Sequence, residues 1–190
     1  INGMGRIGRM IVRSIIESNN KNIEIKHINN RTNSEACSTL LKYDSIHGKF
    51  KVDINFDDKH LIINKKKITF SQETDLKNIN WKKFDVDYVF ECTGKFNSKD
   101  KLKPHLSGGA KKVLVSAPCK SADKTIVFGV NETELTKDDK IISAASCTTN
   151  CLAPVAHVLN ENFDIEKGFM TTIHSFTSDQ RILDNSHKDP

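Results

Sequence analysis

"INGMGRIGR", residues 1–9, sets glycines at positions 3, 5 and 8 directly ahead of an amphipathic run. Glycine at the first position permits a tight turn, at the second lets a backbone approach a pyrophosphate, and at the third lets helix and strand pack closely. In "NGMGRIGRMIVRSIIESN", residues 2–19, Ile7, Met10, Ile11, Ser14 and Ile15 recur at offsets of three and four, one face of a helix. "IEIKHIN", residues 23–29, carries isoleucines at 23, 25 and 28 and reads as a short strand. Strand end, glycine turn, helix and second strand open a parallel βαβ unit. The predicted helix N-terminus offers unpaired N–H groups and a positive dipole end to phosphates, so Gly3, Gly5 and Gly8 point to dinucleotide binding. A plain glycine-rich turn is the competing reading.

The rest of the chain extends this pattern. Residues 49–70 read as short strands joined by polar turns, an antiparallel insertion. "VDYVFECTG", residues 86–94, is a mostly apolar run ending in Thr-Gly, as a buried parallel strand ends. A helix is predicted over 98–107, interrupted by Pro104. "KKVLVSAP" (111–118), "TIVFGVN" (125–131) and "KIISAAS" (140–146) are further strand candidates. Together they predict an α/β fold, a doubly wound parallel Rossmann sheet. After Cys147 the pattern becomes a helical stripe of Leu152, Val155, Ala156 and Leu159, with Pro154 predicting a bent or late start. "FMTTIHSF" (169–176) reads as a strand whose partners would lie beyond Pro190. The domain change is placed near Cys147, and both chain ends read as those of an incomplete copy.

Composition narrows the class. With 37% apolar and 28% charged residues and no apolar run of membrane-spanning length, the chain reads as globular and not as a membrane protein. Its net charge of +5 is spread over lysine-rich segments, too diffuse for a nucleic-acid stripe. Five cysteines (37, 92, 119, 147, 151) match neither a disulfide framework nor a paired zinc site, which fits a reducing, cytoplasmic compartment. No histidine has a metal-ligand spacing.

Two stretches carry chemistry. At the end of the second strand, where a carboxylate would accept hydrogen bonds from the adenosine ribose and repel a 2′-phosphate, the chain has Asn29, Asn30 and Arg31. An amide does not repel that phosphate and Arg31 can pair with it, so NADP stands beside NAD; Arg31 as a solvated loop residue is the alternative. In "SAASCTTNC", residues 143–151, Cys147 sits at a predicted helix N-terminus, where the dipole stabilises a thiolate. His174, in a polar-flanked run, is its candidate partner, and Cys151 reads as a small packed residue.

"INGMGRIGR", "LLKYDSIHGKF", "ECTGKF", "GAKKVLVSAP", "GVN", "ASCTTNCLAP", "TTIHSFTSDQRILD" and "SHKDP", in this order, resemble the signature stretches of the phosphorylating glyceraldehyde-3-phosphate dehydrogenases. The resemblance implies a homotetramer acting on glyceraldehyde 3-phosphate and inorganic phosphate, with a dinucleotide-binding domain over 1–146 and the start of an α+β catalytic domain over 147–190. It further implies Cys147 as nucleophile, His174 as its base, Ser146 and Thr148 at the attacking phosphate, and Thr177 at the substrate's own phosphate. Gly5, Arg6 and Ile7 match the pyrophosphate turn; Thr93, Gly94 and Ser116 match cofactor-lining segments. Asn30 stands where NAD-specific members have aspartate, and Asn185 and Ser186 where many have Leu-Pro. Erythrose-4-phosphate dehydrogenase and a cofactor-binding regulatory protein are the alternatives.

Overall fold

The computed structural model describes residues 1–175 and 177; the expectations placed on Asn185 and Ser186 lie outside the described residues. Helix α1 (Arg6–Ser18) leaves the glycine turn and is followed by β1 (His27–Asn29) and α2 (Ser34–Lys42). A hairpin of β2 (Tyr43–Asp44) and β3 (Gly48–Lys49) leads to β4 (Ile54–Asp57), β5 (His60–Ile63) and β6 (Lys66–Ser71). Then come β7 (Tyr88–Glu91), α3 (Lys99–Ser107), β8 (Lys112–Val115), β9 (Lys124–Thr125), β10 (Ile141–Ser143) and α4 (Cys147–Phe163).

Residues 1–3 lie at the centre of the sheet. Asn2 makes parallel bridges to Asn29 on one side and Glu91 on the other. Its N–H donates to the Phe90 carbonyl at 2.9 Å, and the Gly3 N–H donates to the Asn29 carbonyl at 2.8 Å. Outward from this centre run β1 and β6 on one side, and β7, β8, β10 and β9 on the other, all parallel. Strand order reverses there, so a doubly wound Rossmann sheet opens a crevice beyond its carboxyl edge at residues 1–3. The predicted insertion is antiparallel through β4, β5 and β6, yet β6 pairs with β1 in parallel and so belongs to the main sheet.

Local packing rewrites several sequence-based expectations. In α1 the buried positions are Gly8, Val12 and Arg13, with Ile11, Ile15 and Ile16 packed beside them, while Ile7 is 51% exposed. Contact of Gly8 with the glycine turn rotates the helix, leaving Ile7 over the open crevice. The predicted strand 125–131 ends at Thr125: Gly129 has φ of +80°, and the N–H groups of Val130 and Asn131 both return to the Val127 carbonyl. That turn leaves no groups free for a ladder. Residues 169–175 form no strand, because no described segment pairs with them. Pro104 and Pro154 lie inside α3 and α4 rather than ending them. Each removes one helical hydrogen bond, and buried Leu102 and His105 hold α3 in place regardless.

The core is apolar on both sides of the centre, with Ile28, Leu41, Leu61 and Ile68 on one and Leu102, Val113 and Ile141 on the other. Among them sits His27, stacked on Phe84 at 3.8 Å and held by Thr69 Oγ1 and Ser71 Oγ. Burial lowers its pKa to about 3 from an ordinary value of 6.5. Between those values the unfolded chain binds a proton that the folded chain refuses, so stability falls as pH drops from 6.5 toward 3. The slope reaches at most about 1.4 kcal/mol per pH unit. Urea unfolding at pH 7 and pH 4.5 should show this loss, and His27→Gln should flatten it; equal slopes in both proteins would remove His27 as the cause.

Candidate functional site

Because the strands are parallel, their carboxyl ends share one edge, and every sequence-predicted cofactor residue follows one of those ends. Gly3, Gly5 and Gly8 follow residue 2; Asn30 and Arg31 follow β1; Thr93 and Gly94 follow β7; Ser116 follows β8. Cys147 lies just past the end of β10 on the same edge. The fold therefore gathers onto one rim what is scattered over the sequence.

The three glycines differ in what surrounds them. Gly3 has φ of +93°, and a Cβ there would lie 2.9 Å from the Thr93 side chain. At Gly8 a Cβ would lie 2.0 Å from the Gly3 carbonyl oxygen, so helix and turn touch at backbone distance. Gly5 faces open space within 4 Å and is the N-cap of α1, with no side chain over the helix end. The first N–H groups of α1 thus point into room that an anionic diphosphate can occupy. Arg6 is exposed and its guanidinium is paired with Asp44 at 3.2 Å, while Ile7 sits exposed beside it.

The other rim residues differ in how firmly they are held. The Asn30 amide oxygen accepts from the Met4 N–H at 3.0 Å, and its nitrogen donates to Thr32 Oγ1 at 2.6 Å and to Cys37 Sγ at 3.2 Å. It braces the glycine turn and presents no charge to the crevice. Arg31 is exposed in the loop. Thr93 donates its N–H and its hydroxyl to Glu91 Oε1, at 2.8 and 2.5 Å. Gly94 has φ of +71°, and the Ser116 N–H donates to the Glu91 carbonyl at 3.0 Å.

Cys147 begins α4, and Ser146 caps it by accepting the Thr149 N–H at 3.1 Å. The turn before it is forced: Ala145 has φ of +59°, and the Asn150 amide holds the carbonyls of Ala144 and Ser146 at 2.7 and 2.8 Å. The Cys147 Sγ lies 3.1 Å from His174 Nε2. His174 Nδ1 lies 2.5 Å from the Ser175 carbonyl, which only accepts, so Nδ1 carries the proton and Nε2 faces the thiol with its lone pair. The hydrogen bond from His174 lowers the Cys147 pKa, with the Thr148 N–H and hydroxyl adding to it. The Ser175 carbonyl, followed by the Cys147 thiol, raises that of His174. Thiolate and imidazolium therefore stabilise each other, at the rim of a cleft of about 510 Å³ that Thr148, Cys151 and Met170 also line. Thr177 is exposed, three positions past the histidine. By contrast, burial pushes the Cys92 thiol up to about 11. Cys151, read as packed, is exposed, because α4 buries no residue among those described.

Sequence reading missed the supports beneath these residues: Glu91 under Thr93, Asp44 against Arg6, Asn150 under the Cys147 turn and the Ser175 carbonyl behind His174. The one visible signal was a glutamate closing the apolar run "YVFE".

Gly8→Ala should destabilise the protein by about 3 kcal/mol or more, since neither backbone can yield. Gly5→Ala, at φ −68° with open space, should stay within about 0.5 kcal/mol of wild type; urea unfolding checks both. Alkylation of Cys147 by iodoacetamide, followed on its own peptide, should reach half its maximal rate below the ordinary thiol range near pH ~8.5. His174→Asn should move that midpoint upward; an unmoved profile would break the pair.

The comparisons agree with this geometry. The family model described as glyceraldehyde 3-phosphate dehydrogenase, NAD binding domain, matches residues 1–99, and that described as glyceraldehyde 3-phosphate dehydrogenase, C-terminal domain, matches residues 146–190. The glyceraldehyde-3-phosphate dehydrogenase of Zymomonas mobilis is 50% identical over 190 residues, covering 100% of this chain and 56% of the relative. That of Thermotoga maritima is 47% identical over 189 residues, covering 100% of this chain and 57% of the relative. Glyceraldehyde-3-phosphate dehydrogenase 2 of Bacillus subtilis is 48% identical over 190 residues, covering 100% and 55%. The chain thus spans about half the length of the curated relatives it matches. With a dinucleotide crevice at its switch point and a cysteine–histidine pair past β10, the chain belongs to the glyceraldehyde-3-phosphate dehydrogenase family.

Proposed function

We propose that the protein carrying this chain oxidises glyceraldehyde 3-phosphate and phosphorylates the product, giving 1,3-bisphosphoglycerate, with NAD or NADP. The observation that carries this reading is Cys147 Sγ at 3.1 Å from His174 Nε2, on the same sheet edge as the glycine turn. The open space at Gly5 and the free N-terminus of α1 fit a dinucleotide diphosphate. Gly3, Gly5, Arg6, Ile7, Gly8, Asn30, Arg31, Thr93, Gly94 and Ser116 are the residues assigned to hold it. When bound, the nicotinamide supplies a hydride acceptor for oxidation at the aldehyde carbon.

The chain's own groups supply the remaining chemistry. Cys147 attacks the aldehyde carbon as thiolate, and His174, with Nε2 directed at the sulfur, moves the proton of the resulting hydroxyl. After oxidation Cys147 holds the acyl group as a thioester. Inorganic phosphate then attacks that carbon, the C–S bond breaks to an acyl phosphate, and the thiolate returns to its pair with His174. Ser146 and Thr148, at the N-terminus of α4, are assigned to that phosphate, and Thr177 to the substrate's own phosphate.

A cytoplasmic homotetramer follows from the family resemblance; no helix among the described residues is long and apolar enough to cross a membrane. The division into 1–146 and 147–190 is supported by the forced turn at Ala145 and by the second family model starting at residue 146. The exposed apolar face of α4, with Leu152, Val155, Val158 and Phe163, suits a helix with further catalytic-domain structure packed on it. Acceptance of NADP is supported by the uncharged Asn30 and the exposed Arg31.

Initial rates of the full-length protein with glyceraldehyde 3-phosphate and with erythrose 4-phosphate, with NAD or NADP, each with and without inorganic phosphate, test the whole reading. The expected result is phosphate-dependent turnover of the triose phosphate, comparable with either cofactor and lost by at least about 10³-fold in Cys147→Ser. Turnover that ignores phosphate would overturn the phosphorylating assignment, and strong preference for NAD would overturn the NADP assignment.

A further inference from the structure

We propose that Glu91 is a positioning residue of the cofactor crevice: one buried carboxylate that holds the glycine turn and the Thr93–Gly94 segment in register. The inference rests on the reading of those segments as cofactor contacts and adds what sets their geometry. Glu91 is 1% exposed, at the carboxyl end of β7. Its Oε1 accepts both the N–H and the hydroxyl of Thr93. Oε2 accepts from Asn2 Nδ2 at 2.6 Å and meets His105 Nε2 at 2.9 Å. Asn2 adjoins Gly3 in the chain, so the two walls of the crevice meet on the two oxygens of one side chain.

Proton positions along this chain are set from both ends. Trp81 Nε1, which can only donate, gives its hydrogen to His105 Nδ1 at 3.0 Å, so His105 Nε2 carries the hydrogen that points at Glu91. On the other side the Glu73 N–H donates to Asn29 Oδ1 at 2.8 Å, and Ser71 Oγ donates to the same oxygen at 2.7 Å. This orients Asn29 so that its Nδ2 donates to Asn2 Oδ1 at 2.8 Å, which in turn aims Asn2 Nδ2 at Glu91. Donors from Thr93, residue 2 and α3 converge on the carboxylate and fill its acceptor sites, while β1 and β6 act on it only through the orientation of Asn2. Trp81, His105, Asn2 and Asn29 are all buried, so these four have no water as an alternative partner.

A glutamine at this position cannot replace the carboxylate. Its NH₂ group would face the donors of Asn2 and His105 in one orientation and the Thr93 N–H in the other, and one wall of the crevice would lose an anchor. The chain thus couples Asn30, next to Asn29, with the glycine turn, next to Asn2, and with Thr93, which Glu91 holds directly. A dinucleotide touching all three segments meets them already spaced, without an ordering cost at binding.

The test uses full-length wild type, Glu91→Gln and Asn2→Ser, with NAD and NADP as probes. Dissociation constants come from titration, Michaelis constants from steady-state rates and folding from thermal melts. Glu91→Gln should weaken cofactor binding at least tenfold and raise the cofactor KM in proportion. Its aldehyde KM and the Cys147 alkylation rate should stay within twofold of wild type. Asn2→Ser, which removes one donor and keeps the carboxylate, should weaken the cofactor in the same direction by threefold or more. A purely structural role would lower the melting midpoint and leave the cofactor constants of the folded protein within twofold, and that result overturns the inference. If Glu91→Gln does not melt cooperatively, Asn2→Ser decides by the same criterion. Failure of wild type to bind either dinucleotide would instead remove the cofactor reading on which the inference stands.

Discussion

The close approach of Gly8 to the carbonyl of Gly3 is the constraint on which the rest of the structure depends. A Cβ at residue 8 would lie 2.0 Å from that oxygen, so the first turn of α1 rests directly on the end of the central strand segment. This contact decides which face of α1 meets the sheet, and so why Val12 is buried and Ile7 is left over the crevice. It also aims the free end of α1 at the switch point, where strand order reverses around residue 2. The anion recognition proposed for this turn therefore rests on backbone geometry before it rests on charged side chains.

Polar groups at the sheet's carboxyl edge are organised in two different ways. Glu91, Asn2 and His105 are buried and hydrogen-bonded to one another, which makes for a fixed arrangement. Around Cys147 the thiol and the imidazole are exposed, and geometry comes from a cap, a forced turn at Ala145 and a single carbonyl behind His174. The nucleophile proposed here requires that difference. A thiol buried like Cys92 is pushed toward the neutral form, whereas Cys147, at a helix start with an imidazole at hydrogen-bond distance, is drawn toward the thiolate.

The predicted elements that matched were those whose signal is local. The glycine spacing, the apolar run of β7 and the serine ahead of Cys147 each specify a conformation within a few residues. Two strand readings have no ladder among the described residues, for different reasons. Residues 125–131 had strand composition, but a turn at Gly129 took up their backbone groups. Residues 169–175 had it too, and no described neighbour completes a ladder with them. Cys151 looked like a packing residue, and its exposure follows from a helix face that the described residues leave uncovered.

By itself the sequence determined the fold class, the dinucleotide turn and the pairing of Cys147 with His174 as candidates. Each follows from residue types at short spacings, or from signature stretches that stand in order. Only the tertiary structure decided which groups hold those residues in place: Glu91 beneath Thr93, Asn2 beneath the turn, Asp44 against Arg6, and the Ser175 carbonyl that sets the tautomer of His174. The reason is physical. A buried hydrogen bond joins residues by distance and direction in space, and Asn2 to Glu91 spans 89 positions of chain that carry no local trace of the contact.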